Sequence, residues 1–305
     1  MQTDLTTRGA VHGILLIDKP SGWTSHDVVA KTRRLTGQRK IGHTGTLDPM
    51  ATGLLVLCLG DATRLVEYMT GHDKRYQGTI KLGVTTDTDD SEGRVTGQRP
   101  IPDIDDLALK RVAGQFTGAI MQRPPSFSAL KVHGQRAYAI ARRGGNPGVP
   151  ARKVVLHAVQ IERTSRAELS IAVHCGAGTY IRSLARDIGE ALGCGAHLSS
   201  LRRTAVGRFK VAGATTIDTL QIAGPDSTPE MLAAVDEGVI DWPAAVLSGE
   251  SSNMFTNGRD LKCARSIAGA TTLVRAFNAE GRFIGVGELA AIGTLRPIKV
   301  MANLA

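Results

Sequence analysis

The run of residues best suited to chemistry is Gly42–Gly53, which reads GHTGTLDPMATG. Its three glycines, three threonines and one proline in twelve residues predict a tightly folded loop. Asp48 is the only carboxylate in it. Pro49 keeps the preceding backbone extended and supplies no N–H to a carboxylate, so we expect Asp48 to be held in one fixed pose. By spacing alone, this is a plain Asp-Pro turn.

Other reactive motifs fail on their spacing. The loop lacks the Gly-Lys-Ser/Thr ending of a nucleoside-triphosphate site, and the chain has no G-x-S-x-G. The acidic run Asp87–Glu92 has Glu92 where a calcium loop needs glycine, and Gln98 where it needs glutamate, so we expect a solvated turn. Eight histidines form no H-x-x-x-H pair, and the sequence predicts no metal site.

Composition narrows the class of protein. Lys and Arg number 37 against 28 Asp and Glu in 305 residues, giving a net charge of +9, which favours a polyanionic partner, nucleic acid before membrane. The apolar runs are too short to span a bilayer, and no signal peptide is visible. The four cysteines form no C-x-x-C pair and suit a reducing compartment. We expect a cytoplasmic protein.

The excess charge is concentrated in residues 121–166. Nine basic residues against one acid give +8 in this segment, which is also rich in Pro and Gly and therefore expected to be largely loop. A charge run of this kind is usually a solvated surface; the alternative is an arm that closes on a phosphate backbone. A second basic group follows, made up of Arg202, Arg203, Arg208 and Lys210.

Hydrophobic patterns typical of strands and of helices alternate along the chain. Gly13–Ile17 predicts a buried strand and residues 76–82 a half-buried one, whereas 181–192 has helical spacing, with Thr179 as its N-cap and Gly193 as its stop. This interleaving predicts an α+β fold with a mixed, largely antiparallel sheet. The acidic segment 211–248 is expected to end the large domain, and a hairpin turning at 278–281 predicts a small β-barrel after it.

Several motifs together resemble the TruB family of tRNA pseudouridine synthases. Gly42–Gly53 looks like the family signature, and Gly13–Gly22 resembles the family's opening strand and turn. In family order and at family-like spacing follow Asp73–Tyr76, Pro125–Lys131, Gly178–Arg182, and Gly195–Leu198 with Leu201–Thr204. The close match covers about residues 11–210. The tail, residues 257–300, is similar more loosely to a PUA RNA-binding domain. The resemblance therefore implies a pseudouridine-synthase domain over 1–248 and a PUA-like domain over 249–305.

The resemblance also implies roles for individual residues. Asp48 would be the nucleophile that isomerises uridine-55 in the TΨC loop of tRNA, and Arg182 the cation held against it. The target base must be flipped out of its loop. The residues expected around this base are His43, Tyr76, Tyr180 and Leu201, and Lys19 is expected to support the loop.

The basic segment 121–152 would then be a thumb over the RNA. Its expected phosphate contacts are Arg142, Arg143, Arg152 and Lys153. We expect tRNA as the partner and no cofactor. Guide-RNA-dependent relatives carry partner-binding extensions, whereas this chain has only about ten residues before its first strand. We therefore also expect a monomer with no obligatory protein partner. The alternative is a non-catalytic RNA-binding or tRNA-folding protein on the same scaffold.

Overall fold

The computed structural model describes residues 11–132, 134–262, 271–291 and 293–301. Cys263, the fourth cysteine, and both ends of the chain lie outside the described residues. No helix in the described part is long and apolar enough to cross a bilayer.

Seven α-helices and nineteen strands occur in these ranges. The helices are α1 Ser25–Thr36, α2 Val66–Thr70, α3 Asp106–Gln115, α4 Ala137–Arg142, α5 Ile181–Ala191, α6 Ile217–Ala223 and α7 Gly249–Thr256. The strands are β1 Gly13–Lys19, β2 Ile41–His43, β3 Thr52–Leu59, β4 Lys74–Leu82, β5 Val84–Thr86, β6 Val95–Gln98, β7 Gly118–Gln122, β8 Lys131–Val132, β9 Gln135–Arg136, β10 Arg152–Ser165, β11 Glu168–Cys175, β12 Ala196–Val206, β13 Phe209–Lys210, β14 Leu232–Ala233, β15 Ala244–Val246, β16 Leu261–Lys262, β17 Thr272–Phe277, β18 Phe283–Leu289 and β19 Thr294–Val300. Five short 3₁₀ turns lie at Gly60–Leu65, Val211–Gly213, Pro225–Ser227, Pro229–Met231 and Val235–Val239.

A mixed sheet of ten strands forms the large domain. Eight of them follow the order β14-β1-β3-β12-β4-β11-β10-β7, and β2 and β13 pair with β3 and β12. Among the described strands of this sheet, β3 and β12 pair in parallel and the other neighbours are antiparallel. The expected mixed, largely antiparallel sheet is confirmed.

The parallel contact between β3 and β12 requires a glycine. Gly53 has φ +96°, and a Cβ there would stand 2.3 Å from the Arg203 carbonyl oxygen. This close approach fixes the end of the Gly42–Gly53 loop against β12, because no larger residue fits between the two backbones.

The predicted elements are found with small differences at their ends. The strand at Gly13 continues to Lys19, and the helix begins at Ile181. Its expected N-cap was wrong: Tyr180 occupies the cap position, and the Thr179 hydroxyl donates to the Gly176 carbonyl instead. Gly193 adopts φ +82° just after the helix, as a stop requires.

A second, five-stranded sheet lies at the C-terminal end. Its order is β15-β17-β18-β19-β16, a curled half-barrel consistent with a PUA-like unit. The predicted hairpin is confirmed, since β17 and β18 are antiparallel and joined at 278–281. β15 belongs to this sheet although it precedes residue 249. Phe283, Val286 and Met301 pack into one apolar cluster with residues of the large domain.

Candidate active site

A cleft of about 290 Å³ is lined in part by β4 and β12, two central strands of the large sheet. The Gly42–Gly53 loop forms one wall, and the start of α5 forms the other. Its lining includes Thr44–Asp48, Thr70, Lys74, Tyr76, Phe127–Ala129, Arg152, Ala177–Arg182, Leu201 and Arg203. Five of the site residues expected from the sequence therefore share one cavity with Arg152.

Asp48 and Arg182 form an ion pair in this cleft. The Nη2 group of Arg182 donates to Asp48 Oδ1 over 3.0 Å, and its Nε lies 3.0 Å from Oδ2. The Asp48 side chain is 34% exposed and that of Arg182 only 6%. The carboxylate therefore remains accessible from the cleft while a buried cation fixes its position.

Arg182 is held in turn by groups on two other segments. Its Nη1 lies 3.4 Å from Asp90 Oδ2 and donates to the Thr88 carbonyl over 3.1 Å, while Nη2 also donates to the Phe127 carbonyl over 3.1 Å. With these partners and Asp48, the guanidinium has almost no freedom to turn. Its orientation is therefore set before any ligand arrives.

The acidic segment 87–92 contradicts its sequence-based prediction. We expected a solvated turn, but Asp90 is 3% exposed and faces Arg182. Asp89 has φ +61° and pairs with Arg186 over 2.7 Å. Burial raises the pKa of Asp89, and the Arg186 charge opposes that rise. The turn is folded inward because two arginines on α5 supply partners for its acids.

The start of α5 is fixed by Gln122, a fully buried residue at the end of β7. Its side-chain amide donates to the Tyr180 carbonyl over 3.0 Å and accepts from the Tyr180 N–H over 2.8 Å. This double contact takes the place of a side-chain cap. It sets the position of Tyr180 and, two residues later, that of Arg182.

Lys19 ties the first strand to the aspartate loop. Its fully buried ammonium donates to the carbonyls of Pro20 at 2.8 Å, Trp23 at 2.6 Å and Pro49 at 3.1 Å. Burial lowers the pKa of Lys19 to about 8, and the Asp48 charge acts in the opposite direction. Lys19 holds the carbonyl next to Asp48 and does not line the cleft.

Arg203 is a site residue that the sequence did not reveal. Only 1% exposed, it donates from Nε to the Leu54 carbonyl over 2.7 Å and from Nη2 to the Gly45 carbonyl over 3.0 Å. The members of the second basic group have different environments: Arg203 is buried, whereas Arg202 and Arg208 are partly exposed and pair with Asp18 and Glu237. Nothing in the sequence around Arg203 predicts that its side chain is buried.

The floor of the cleft carries Tyr76, Leu201 and Lys74. Tyr76 and Leu201 are 9% and 7% exposed, so they present an apolar surface. Burial raises the pKa of Tyr76 and lowers that of Lys74 to about 8, and the nearby Arg203 charge lowers both. The Lys74 ammonium donates to the carbonyls of Thr70 and His72.

His43 lies at the end of β2, outside the residues that line the cleft. Its ring stands edge-on to that of His26, with 6.2 Å between centroids. Burial lowers the pKa of His43, helped by the charges of His26 and Arg203, and its buried Nδ1 has no hydrogen-bond partner. The ring is therefore neutral near pH 7.

The expected phosphate-binding residues divide into two sets. Arg152 lies at the cleft, 5.0 Å from the centre of the Tyr180 ring, and its guanidinium donates to the Gly178 carbonyl. Arg142, Arg143 and Lys153 are exposed outside the cleft lining. Arg142 stands over the Tyr138 ring at 5.4 Å, and Arg143 donates to Gln135 Oε1 over 2.5 Å.

Known proteins with similar sequences cover nearly the whole chain. Residues 33–181 match the TruB family pseudouridylate synthase N-terminal domain. Residues 182–235 match a tRNA pseudouridylate synthase B C-terminal domain, and 243–301 a pseudouridine synthase II TruB C-terminal domain. A "tRNA pseudouridine synthase B" of Cupriavidus metallidurans is 42% identical over 96% of this chain and 95% of its own. The chain belongs to the TruB family.

Further relatives support this assignment to the TruB family. A "tRNA pseudouridine synthase B" of Azoarcus sp. is 42% identical, with 97% of both chains covered. Among solved structures, a chain of a Cbf5-Nop10-Gar1 complex is 26% identical with a TM-score of 0.69, covering 95% of this chain and 83% of that one. A chain of an archaeal box H/ACA Nop10-Cbf5 complex reaches a TM-score of 0.70 at 24% identity, covering 97% and 89%. These two solved structures share the overall fold of this chain.

Proposed function

We propose that this protein isomerises uridine-55 in the TΨC loop of tRNA to pseudouridine, with Asp48 as the nucleophile. The observation that carries the proposal is the Asp48–Arg182 pair: a partly exposed carboxylate, fixed by a buried guanidinium, in a cleft that Tyr76 and Tyr180 also line. The arginine remains charged at any relevant pH, so the carboxylate has a permanent counter-ion. Membership in the TruB family supports the reaction class.

The size and lining of the cleft suit one flipped-out base. A volume of about 290 Å³ is at the small end of ligand sites, which typically start at about 300 Å³. Tyr76, Tyr180 and Leu201 offer flat and apolar surfaces to a ring. Stacking of a base on an aromatic side chain is worth about 1–3 kcal/mol, which offsets part of the cost of extruding the uridine.

The reaction rearranges one nucleotide and needs no co-reactant. The C1′–N1 bond breaks while the Asp48 carboxylate forms a transient covalent adduct. The uracil then rotates, and a C1′–C5 bond forms as the Asp48 carboxylate is released. The hydrogen on C5 leaves as a proton, and N1 takes up a proton. Substrate and product have the same composition, so no redox group or cofactor enters the balance.

The inserted segment supports an RNA partner. It carries exposed cations beside the cleft, and neutralising phosphates with such cations releases counterions. We further propose that the protein works as a monomer in the cytoplasm, without an obligatory protein partner. The catalytic domain would cover residues 1–248, with the small sheet as the PUA-like unit; because β15 belongs to that sheet, a boundary near residue 243 is the sharper proposal.

A non-catalytic RNA-binding or tRNA-folding protein is the less favoured alternative. Such a protein would have no need of a fixed carboxylate in the cleft, yet Asp48, Tyr76, Tyr180 and Arg182 are all present together. The long match to named synthases points the same way.

The proposal is tested with tRNA transcripts tritiated at C5 of uridine. Forming the bond at C5 displaces that hydrogen, so released tritium reports isomerisation. We expect about one equivalent per tRNA, and none from a matched transcript with cytidine at position 55. Equal release from both transcripts would overturn the assigned position. A protein that binds the tRNA without any release would favour the non-catalytic alternative.

A further inference from the structure

Three potential metal ligands meet on the large sheet, outside the cleft lining. Asp73, just before β4, lies with its Oδ2 3.1 Å from Nε2 of His157 and 3.5 Å from Nε2 of His174. One ligand atom from each residue falls within 4.8 Å of the others. The two histidines come from β10 and β11, so three neighbouring strands supply one donor each.

The two histidines lie on the same face of neighbouring strands. Leu156 and Cys175 pair and are both buried, so strand alternation directs the next residue of β10, His157, and the preceding residue of β11, His174, to the opposite, outer face. A β-bulge follows Leu156, where Ala158 pairs with His174. The two imidazole rings stand side by side, with 4.6 Å between their centroids.

The spacing of the donors suits a small divalent ion. A tetrahedral zinc ion has bonds of about 2.0–2.2 Å to nitrogen and oxygen, and therefore separates its ligand atoms by about 3.4 Å. The distances of 3.1 and 3.5 Å from the carboxylate oxygen to the two nitrogens bracket that value. Two imidazoles and one carboxylate are also a donor set that zinc accepts, with the fourth position left open.

The surroundings keep the donors available. The side chains of Asp73, His157 and His174 are 47%, 39% and 27% exposed, so an ion can reach them.

Charged groups on neighbouring elements are mixed in sign. A second cavity of about 310 Å³ beside the cluster is lined by Asp73 and His174 together with Arg75, Arg208, Glu237 and Asp241. Arg208 already pairs with Glu237. The site therefore has carboxylates nearby, and Arg75 on β4 is the cation that opposes an incoming ion.

We propose that Asp73, His157 and His174 bind one divalent transition-metal ion, zinc by preference, with one coordination position open to water. The ion joins the ends of β4, β10 and β11. Lys74 follows Asp73 directly, and the loop that leads to Tyr180 begins just after His174, so the bound ion stabilises two segments that line the cleft. The ion takes no part in the isomerisation, since none of the three ligands lines that cleft.

Zinc titration of the full chain tests the site. Four proteins without a polyhistidine tag are stripped of metal with a chelator and titrated with Zn²⁺ by calorimetry. They are the wild type, His157→Gln, His174→Gln and the control His26→Gln. We expect the wild type and the control to bind one more equivalent of zinc than His157→Gln, or to bind it at least about tenfold more tightly, because loss of even an outer partner of a metal site costs about 10–100-fold.

Two further readouts separate metal binding from a structural role. Zn²⁺ should raise the thermal unfolding midpoint of the wild type and of His26→Gln but not that of His157→Gln. Co²⁺ should give the visible absorption bands of a tetrahedral complex in the wild type and in His26→Gln but not in His157→Gln. If His174→Gln does not fold, the partly exposed His157 still provides the test. Equal zinc binding by the wild type and His157→Gln would overturn the proposal and leave a hydrogen-bonded triad.

Discussion

The walls of the cleft and the inserted segment between β7 and β10 use positive charge in opposite ways. Arg182 and Arg203 are 5% and 1% exposed, and each is held by several fixed acceptors. Arg142 and Arg143 in the inserted segment and Lys153 at the start of β10 are exposed. Buried, satisfied charges fix the geometry of a site, whereas exposed ones remain free to meet a polyanion. Basic residues thus fix the geometry of the cleft in one region and are available to bind a polyanion in the other.

One pair of residues joins the inserted segment to the large sheet beside the cleft. β7 and β10 pair so that Gln122 stands opposite Arg152, and the inserted segment leaves and returns at this point. Gln122 holds Tyr180, and Arg152 covers its ring. Arg152 therefore belongs with the cleft rather than with the exposed cations. Variants of the cleft, of the exposed cations and of Arg152 should consequently differ in their effects.

Removing Arg182 should produce the largest effect. Arg182→Met leaves Asp90 buried without its cation and frees the Asp48 carboxylate. Breaking a buried ion pair by removing one partner costs about 3–5 kcal/mol, and turnover should fall to background. The check is urea unfolding together with tritium release. The matched control is Arg186→Met, which removes the neighbouring pair with Asp89. An Arg182→Met protein with wild-type stability and turnover would contradict the positioning role.

Neutralising the exposed cations should weaken capture without slowing chemistry. In a triple variant, Arg142→Gln, Arg143→Gln and Lys153→Gln, the slope of log affinity against log salt should become shallower by about 0.7–0.9 for each phosphate that the protein no longer neutralises. The single-turnover rate at saturating protein should stay close to that of the wild type. Filter binding at several salt concentrations measures the slope, and an unchanged slope would mean that these cations do not meet phosphates.

Arg152 supplies the contrast to that triple variant. Arg152→Gln removes the cation over the Tyr180 ring and its hydrogen bond to Gly178. We expect a reduced single-turnover rate, with a change in the salt slope no larger than that of about one phosphate. A slope change as large as that of the triple variant, with an unaltered rate, would move Arg152 to the exposed set.

The smallest effect concerns pH and His43. Burial lowers the pKa of His43 in the folded protein. In the unfolded chain the same imidazole has its ordinary pKa of about 6.5 and binds a proton more readily. The resulting stability is present above that pH and is lost as pH falls through the folded pKa. Relative to His43→Gln, the wild type should therefore lose stability between pH 7 and 5, by at most about 1.4 kcal/mol per pH unit. Urea unfolding measures this loss, and a His43 resonance titrating above 6.5 would contradict it.

Local patterns in the sequence predicted much of this molecule. The Gly42–Gly53 loop, the helix after Tyr180 and the hairpin at 278–281 each depend on neighbouring residues, and each is found in the structure. The roles proposed for the site residues came from the family resemblance, because an Asp-Pro turn has no reactive signature of its own. Five of these residues line one cleft together with Arg152, which supports the proposed roles.

The features that the sequence missed all depend on contacts between segments that lie far apart along the chain. Asp90 looked solvated because its partner, Arg182, lies 92 residues away along the chain. Arg203 is buried because it donates to the carbonyls of Leu54 and Gly45 on another segment. The cluster of Asp73, His157 and His174 joins three separate segments and therefore leaves no spacing motif.

The most direct test of the central claim is a comparison of Asp48→Asn with the wild type on C5-tritiated tRNA. Asp103→Asn, an exposed carboxylate outside the cleft lining, is the matched control. We expect Asp48→Asn to bind tRNA with near wild-type affinity and to release no tritium, while Asp103→Asn releases about one equivalent. Continued turnover by a folded Asp48→Asn protein would contradict the assignment of Asp48 as the nucleophile.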